Sequence, residues 1–308
     1  VKVKDWFLLI NANAAGGKAL RKKETVLSLL QSAGLPAQHA VSTSRDEGIR
    51  LIHEKVKEGF RHFIALGGDG TINSLVNALF TQAHVAPESL TMGLIPVGTG
   101  NDWIKTHGIP KSIAASIGII KKGRTVHHDV GLIRKETDGK HELRYFINVA
   151  GAAFQGFVAE RIEGNLQWLK VGPPAFYLAL VEALFRYRAT TVQFTADGAH
   201  HEEKIFNLSI GIGRYAGGGM KVTPSAVTDD GLLDITVAAD LKKREVIANL
   251  PGLFSGKFVA HPKIRQWQAT RLTVFSSPPV PIETDGEVFG YGNFEAEIIP
   301  QAIRVMAP

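Results

Sequence analysis

The 308-residue chain has no cysteine, which excludes disulfides, thiolate nucleophiles and cysteine-ligated zinc. It also has no long apolar run. Trp6 to Ile10, after Lys2 and Lys4, is too short for the core of a signal peptide. The apolar stretch near Ala175 to Phe185 contains Glu182 and falls short of a bilayer's width. The expectation is a protein that does not span a membrane and works in a reducing cytoplasm. A strong charge of one sign is missing too, since 35 Lys and Arg against 29 Asp and Glu leave +6. With no zinc-finger spacing, RNA-binding signature or long basic tail, nucleic acid is not an expected partner. Short basic clusters at Lys18/Arg21/Lys22/Lys23, Lys121/Lys122/Arg124 and Lys242/Lys243/Arg244 suit solvated helix faces or attraction to anionic headgroups and nucleotides.

Several nucleotide-enzyme signatures are absent as well. There is no GxxxxGK[ST], so the chain is not a P-loop NTPase. No GxGxxG is followed by an acidic ribose-binding residue at the right distance, and the protein-kinase motif set is missing.

What is present is an ordinary globular composition, 44% hydrophobic and 21% charged, long enough for two domains. The first 120 residues alternate strand and helix patterns. Trp6–Ile10, Gln38–Val41, Phe63–Leu66 and Met92–Ile95 read as strands. Between them, helices carry Leu20, Val26, Leu27 and Leu30, then Ile49, Ile52, Val56 and Phe60, then Leu75, Val76 and Leu79. This order predicts a parallel sheet with helices on both faces. From about Val130 the texture becomes Val-, Ile-, Thr- and Phe-rich. Runs at Leu143–Val149, Thr191–Ala196, Lys204–Ile212, Leu233–Ala239, Ala269–Phe275 and Ala296–Ile299 read as antiparallel strands. Helical patterns interrupt them at Pro174–Tyr187 and Lys242–Phe254. The expected organisation is an α/β domain over 1–130, a mostly antiparallel β-sandwich over 131–292, and a tail, 293–308, packing back on the first domain.

Two glycine turns carry the chemistry. Gly67-Gly68-Asp69-Gly70-Thr71 follows a strand and opens a helix, where main-chain N–H groups and the helix dipole favour a phosphate. Asp69 repels an anion, so it implies either a bridging Mg²⁺ or a capping role. Pro96-Val97-Gly98-Thr99-Gly100-Asn101-Asp102 follows the next strand. Its Thr99 and Asn101 are candidates to hydrogen-bond a nucleotide, and Asp102 to cap the following helix. Further on, Asp285 and Glu287 flank Gly286, either as an acid–base and metal pair at a strand end or as a type I′ hairpin turn. Asp229, Asp230 and Asp234 suit a turn with a capping carboxylate.

The ordered set GGDGTIN (67–73), PVGTGND (96–102), GGGMKVTPSAVTDDGLLDI (217–235), TDGE (284–287) and FEAEIIPQAIRV (294–305) resembles the diacylglycerol kinase catalytic family, in particular its small bacterial lipid kinases. GGDGT alone is shared with NAD kinases. The resemblance covers nearly the whole chain. It implies a nucleotide cleft between a phosphofructokinase-like domain and a β-sandwich, with ATP contacts at Thr43, Gly67, Gly68, Asp69, Gly70, Thr71, Ile72, Asn73 and Thr99. It implies a catalytic base at Asp285 with Glu287 beside it. It further implies Mg²⁺ at Asp230 with the carbonyls of Val227 and Leu232, in addition to the Mg²⁺ that the charge of Asp69 suggests. The chain departs from the family pattern in having Ser74 where a glutamate is common, and Asn11-Ala12-Asn13-Ala14-Ala15-Gly16-Gly17-Lys18 in place of an NPxxGxGK-like stretch. A basic residue common after GTxND is represented by Lys105.

The activity implied is ATP- and Mg²⁺-dependent phosphorylation of a membrane lipid such as diacylglycerol, by an enzyme peripheral to the inner membrane face. A homodimer is compatible with the sequence. Leu166, Trp168 and Leu169, with Phe176, Tyr177, Leu180, Leu184 and Phe185 and the flanking Lys170, Arg186 and Arg188, form an apolar stripe suited to core or to an acyl-chain groove. The alternatives are an NAD kinase, against which stands the lack of a GSTAY-like motif, and an inactive nucleotide-binding regulator.

Overall fold

Four short apolar runs frame the first part of the chain: β1 (Trp6–Asn11), β2 (Ala37–Ser42), β3 (His62–Gly67) and β4 (Thr91–Pro96). They pair in parallel in the order β4-β3-β1-β2. Strands β1, β3 and β4 are apolar at almost every position because helices cover both faces, while the edge strand β2 is mostly accessible. The computed structural model describes residues 6–14, 16–98, 100–137, 139–164 and 173–308.

Helices α1 (Lys18–Ser32), α2 (Arg45–Lys57), α3 (Asp69–Thr81), α4 (Asp102–His107) and α5 (Ile113–Lys122) follow the strands. On one face Val26 and Leu30 of α1 and Ile117 and Ile120 of α5 pack on Leu8, Ile10, Ile64 and Ile95. On the other, Phe60 at the end of the α2 segment meets the Phe7 ring edge-on, centroids 5.7 Å apart. The expected apolar face of α1 is shifted: Ala19 is buried and Leu20 is 46% exposed, because the helix starts only at Lys18 and its first turn faces Leu20 outward. The chain steps from β1 outward to β2, then returns past β1 to β3. That reversal is a topological switch point, and ligands bind in such open sheets at the carboxyl ends of the strands beside it.

The chain divides into two units. One runs to Val130 and takes back Gln301–Pro308, and the other is Gly131–Pro300. The chain leaves the first along β5 (Thr125–Thr137) and returns along β15 (Phe294–Met306). Within the second unit come β6 (Lys140–Phe146), β7 (Val149–Ala153), α6 (Phe154–Gly164), α7 (Pro173–Arg186), β8 (Thr190–Ala196), β9 (Ala199–Gly211) and β10 (Leu233–Ala239). They are followed by α8 (Lys243–Ser255), β11 (Ile264–Ala269), β12 (Arg271–Ser276), β13 (Val280–Thr284) and β14 (Glu287–Gly292). Strands β14-β13-β7-β9-β8-β12 pair antiparallel in that order, and β10 lies between β9 and β11. The result is an antiparallel β-sandwich around Phe146, Leu208, Ile210, Ile235, Leu272 and Ile282.

Two expected strands are broken. Leu143–Val149 is not one strand: β6 stops at Phe146 and β7 starts at Val149, because the N–H groups between them turn to a carboxylate instead of a ladder. Ala269–Phe275 breaks at Thr270, whose N–H and hydroxyl both bond Asp197 at the β8–β9 turn. Of the stripe expected on α7, the described residues divide between core and surface. Ala183, Leu184 and Tyr187 are buried and Leu180 packs against them, whereas Phe185 is 59% exposed. Leu166, Trp168, Leu169 and Lys170 lie outside the described residues, as do the side chains of Phe176 and Tyr177.

Candidate functional site

The loops after β1, β2, β3 and β4 all leave the carboxyl edge of one parallel sheet. Strand β3 ends at Gly67, and Gly68 opens α3 in an extended conformation with no side chain capping the helix. A helix N-terminus left without a side-chain cap presents N–H donors and positive potential to an anion. Gly68 packs directly on Gly98 of the neighbouring turn: a Cβ on Gly98 would come within 2.8 Å of Gly68 Cα. Gly98 must therefore be glycine for the loops to touch, and a Cβ on Gly68 would be tight, 3.3 Å from Gly98 Cα. Thr71, Ile72 and Asn73 are buried, and Asn73 accepts from Asn77 Nδ2 through its carbonyl at 2.9 Å and its side-chain oxygen at 3.2 Å. Of the expected nucleotide contacts in 67–73, only Gly68, Asp69 and Gly70 are partly accessible.

Asp69 performs the capping expected of Asp102. Its two oxygens accept the main-chain N–H groups of Asp102 at 3.0 Å and Trp103 at 3.1 Å, which start α4. Asp102 cannot cap because it is already the first helical residue, and it pairs with Lys105 at 2.6 Å. Burial, and then the charge of Asp102, push the Asp69 carboxyl above its ordinary range. Asn101 takes a left-handed conformation (φ 51°). Its Nδ2 donates to the Gly98 carbonyl at 2.5 Å, while its buried Oδ1 has no partner. That acceptor is suited to a donor such as a ribose hydroxyl or a water. Thr43, exposed after β2, donates its N–H and hydroxyl to one Glu47 oxygen, each at 2.7 Å. Those two bonds hold the Glu47 carboxyl below its ordinary value. The Thr43 carbonyl accepts from Asn13 Nδ2 at 2.9 Å, joining the loops after β1 and β2. Thr99 lies outside the described residues.

In the second unit Asp285 and Gly286 are the central pair of the β13–β14 hairpin, with φ of 50° and 88°. Two successive positive φ values make the type I′ turn the sequence allowed. Asp285 is buried, and its carboxylate accepts three main-chain N–H groups: Ile147 at 2.9 Å, Asn148 at 2.9 Å and Val149 at 3.1 Å. Its own N–H donates to the Val149 carbonyl at 2.9 Å. The side chain is locked in place by backbone from another part of the chain. Glu287, half-buried, begins β14 beside it.

Behind this turn lies a polar chain. Glu283, fully buried on β13, accepts from Gly286 N–H at 2.6 Å and from Gln155 Nε2 at 2.6 Å. Gln155 accepts from Ser209 Oγ at 2.8 Å, and Ser209 accepts from Asn207 Nδ2 at 3.0 Å. Glu283 pairs across the sheet with Gly151, where any Cβ would collide with the Gln155 side chain. Burial, reinforced by the nearby charge of Asp285, pushes the Glu283 carboxyl up to about 8, against opposing hydrogen bonds from Gly286 and Gln155. At neutral pH Glu283 is therefore mostly uncharged. An extra negative charge beside Asp285 and Glu287 is avoided.

Comparison with known proteins covers both parts of the chain. Residues 5–133 match the diacylglycerol kinase catalytic domain, and residues 149–307 match the YegS C-terminal NAD kinase beta sandwich-like domain. The chain belongs to the diacylglycerol kinase catalytic family. A protein of Stenotrophomonas maltophilia named "Probable lipid kinase YegS-like" is 29% identical, over 98% of this chain and 96% of that one. A Mycobacterium tuberculosis protein named diacylglycerol kinase is 27% identical, over 97% of this chain and 94% of its own. The crystal structure of a diacylglycerol kinase from Bacillus anthracis superposes with a TM-score of 0.70 at 20% identity, covering 100% of this chain and 98% of that one.

For a kinase of this family the fit to Mg²⁺ can be tested on the donors present. Among the described residues no group of three or more His, Cys, Asp or Glu is gathered for a metal. Asp230 is exposed, and its Oδ1 accepts from Leu232 N–H at 3.1 Å, closing its own turn. Behind it Asp234 is buried, and burial, with the Asp230 charge adding to it, pushes its carboxyl up to about 6. Asp230, a single exposed carboxylate, suits a Mg²⁺ that keeps most of its water. A cation there would also relieve the crowding with Asp234. At Asp69 both oxygens already hold backbone, so its first role is structural.

The family motifs pointed to Asp285 but not to Glu283, Gln155, Asn207 or Ser209. The available signal was a charged residue inside Val-Pro-Ile-Glu-Thr, a run otherwise fit for a buried strand. A glutamate in that place must be paired or neutral.

Proposed function

We propose that the protein transfers the γ-phosphate of ATP to the hydroxyl of a membrane lipid of the diacylglycerol type, using Mg²⁺, at the inner face of a membrane. The observation that carries this reading is Asp285: a carboxylate buried at a tight turn and immobilised by three backbone donors. Such rigidity suits a group that must receive a proton at a fixed point. In the proposed reaction the lipid oxygen attacks the γ-phosphorus, the bond to the β–γ bridging oxygen breaks, ADP leaves, and the hydroxyl proton passes to Asp285. The Gly68–Gly70 segment holds phosphate oxygens with main-chain N–H groups, and Thr43 and Asn101 border the nucleotide. Mg²⁺ supplies neutralisation of phosphate charge, with Glu287 and Asp230 as the residues suited to hold it.

The test is transfer of labelled γ-phosphate from ATP, with and without Mg²⁺, to diacylglycerol, phosphatidylglycerol, a sphingoid base and a polyprenol in mixed micelles. NAD is the competing acceptor and Asp285→Asn the control. Label on a lipid that disappears with the variant supports the proposal and names the acceptor. Label on NAD alone overturns it.

A further inference from the structure

Helix α8 is built unlike the other long helices of the molecule. It spans 13 residues, carries five large apolar side chains (Val246, Ile247, Leu250, Leu253 and Phe254), and buries none of them fully. Helical spacing separates these residues into two faces. Val246 leans on the sandwich core, and Leu253 packs with Val149, Met220 and Val222. Ile247 and Phe254, seven residues apart, point outward and are 48% and 42% exposed. An outward helix face is ordinarily polar.

The exposed apolar surface continues on α7, where Val181 and Phe185, one turn apart, are 50% and 59% exposed. Lys243 ties the two helices together. Its ammonium donates to the Phe185 carbonyl and lies 5.3 Å from the Phe185 ring centre. Cations surround the patch: Lys242, Lys243 and Arg244 at the start of α8 and Lys257 just past its end, all exposed. The acids nearby are engaged by their own partners. Glu245 pairs with Lys263 at 3.0 Å, Asp240 with Lys204 at 3.0 Å, and Glu182 with Arg186 at 3.2 Å. The patch is therefore apolar at its centre and basic at its rim.

We propose that the outer face of α8, together with Val181 and Phe185 of α7, is the surface that settles on an anionic phospholipid bilayer. Apolar side chains enter the acyl boundary while lysines meet the headgroups. This deepens the lipid-kinase reading and rests on it. Beneath this surface the inner face of α8 meets the backbone that holds the proposed base: the Leu253 carbonyl accepts from Lys221 N–H at 2.7 Å, Leu253 packs in one apolar cluster with Val149, and the Val149 N–H is one of the three on Asp285.

The test is flotation of the full chain with vesicles of phosphatidylcholine alone or mixed with phosphatidylglycerol, alongside thermal melts to confirm folding. Wild type should float with the mixed vesicles. Ile247→Ser/Phe254→Ser should lower partitioning about tenfold, from the apolar surface removed. Lys242→Glu/Arg244→Glu should lower it at least fivefold per residue, on the anionic vesicles only. Dioctanoylglycerol dispersed in detergent separates the two readings. The surface variants should phosphorylate it as wild type does, and Asp285→Asn should not. No transfer to any lipid by wild type would sink the lipid-kinase reading, and an active Asp285→Asn would sink only the assignment of the base; both leave the vesicle result standing. Vesicle binding unaltered by the surface variants, or absent in wild type, would overturn the membrane face. So would light scattering that showed a dimer lost with Ile247→Ser/Phe254→Ser, since a second copy would then be the occupant.

Discussion

Asp69 and Asp285 each precede a glycine in a tight turn, and each directs its carboxylate at backbone N–H groups. Asp69 ties the turn after β3 to the start of α4, so two neighbouring glycine loops act as one unit. Beside it Gly68 and Gly70 remain partly accessible, and no side chain caps the helix they open. Asp285 is instead pinned by residues 147–149, more than a hundred positions away in sequence, and is backed by a buried carboxyl that stays neutral. One aspartate shapes a surface suited to an anion. The other is itself the reactive group in the proposed reaction. The same residue type in the same local motif takes opposite roles according to what lies around it.

The sharpest way to break this comparison is to exchange the functions. Asp285→Asn should lower phosphoryl transfer by about 10²–10⁴, measured in the micelle assay. Asp69→Ala should act first on stability, by about 1–2 kcal/mol in urea denaturation, because α4 loses its cap. Its effect on the reaction should then appear mainly as weaker ATP binding. Gly98→Ala probes the contact between the two glycine loops. The added methyl would sit 2.7 Å from Asn101 Oδ1 and 2.8 Å from Gly68 Cα, so an overpacking cost of about 1–3 kcal/mol is expected, again with reduced ATP affinity.

The smallest effect concerns Glu283. Its folded carboxyl titrates at about 8 against an ordinary value of 4.5, so the folded chain holds a proton that the unfolded chain releases. Its contribution to stability therefore falls as pH rises from 4.5 to about 8 and is level outside that window. Glu283→Gln should flatten the decline in melting temperature across that range and keep activity near neutral pH. Glu283→Ala should lower kcat with little change in KM for ATP, because the hydrogen bond to Gly286 is lost.

What could be read from sequence follows the reach of the interactions involved. GGDGTIN and PVGTGND each lie within one strand–turn–helix step, so their place at the sheet edge was legible. The capping of α4 by Asp69 was not, because it joins two such steps and Asp102 looked equally able to cap. The single strand expected over Leu143–Val149 fails for a similar reason: its hydrophobic pattern is intact, but Ile147 and Asn148 N–H groups are claimed by Asp285. Periodicity reports which side chains want burial and is silent on where a main-chain donor finds its acceptor. Helix α8 shows the converse. Its apolar content reads as core, and only the structure separates Val246 and Leu253, which pack inward, from Ile247 and Phe254, which do not.

The most direct test of the central claim is to titrate ATP calorimetrically into wild type and Asp285→Asn and to follow a single turnover to the accepted lipid in both. The account predicts equal ATP affinity and transfer only in wild type. Transfer at wild-type rate by the variant, or loss of its ATP binding while it stays folded, would contradict the assignment of Asp285 as the group that takes the proton.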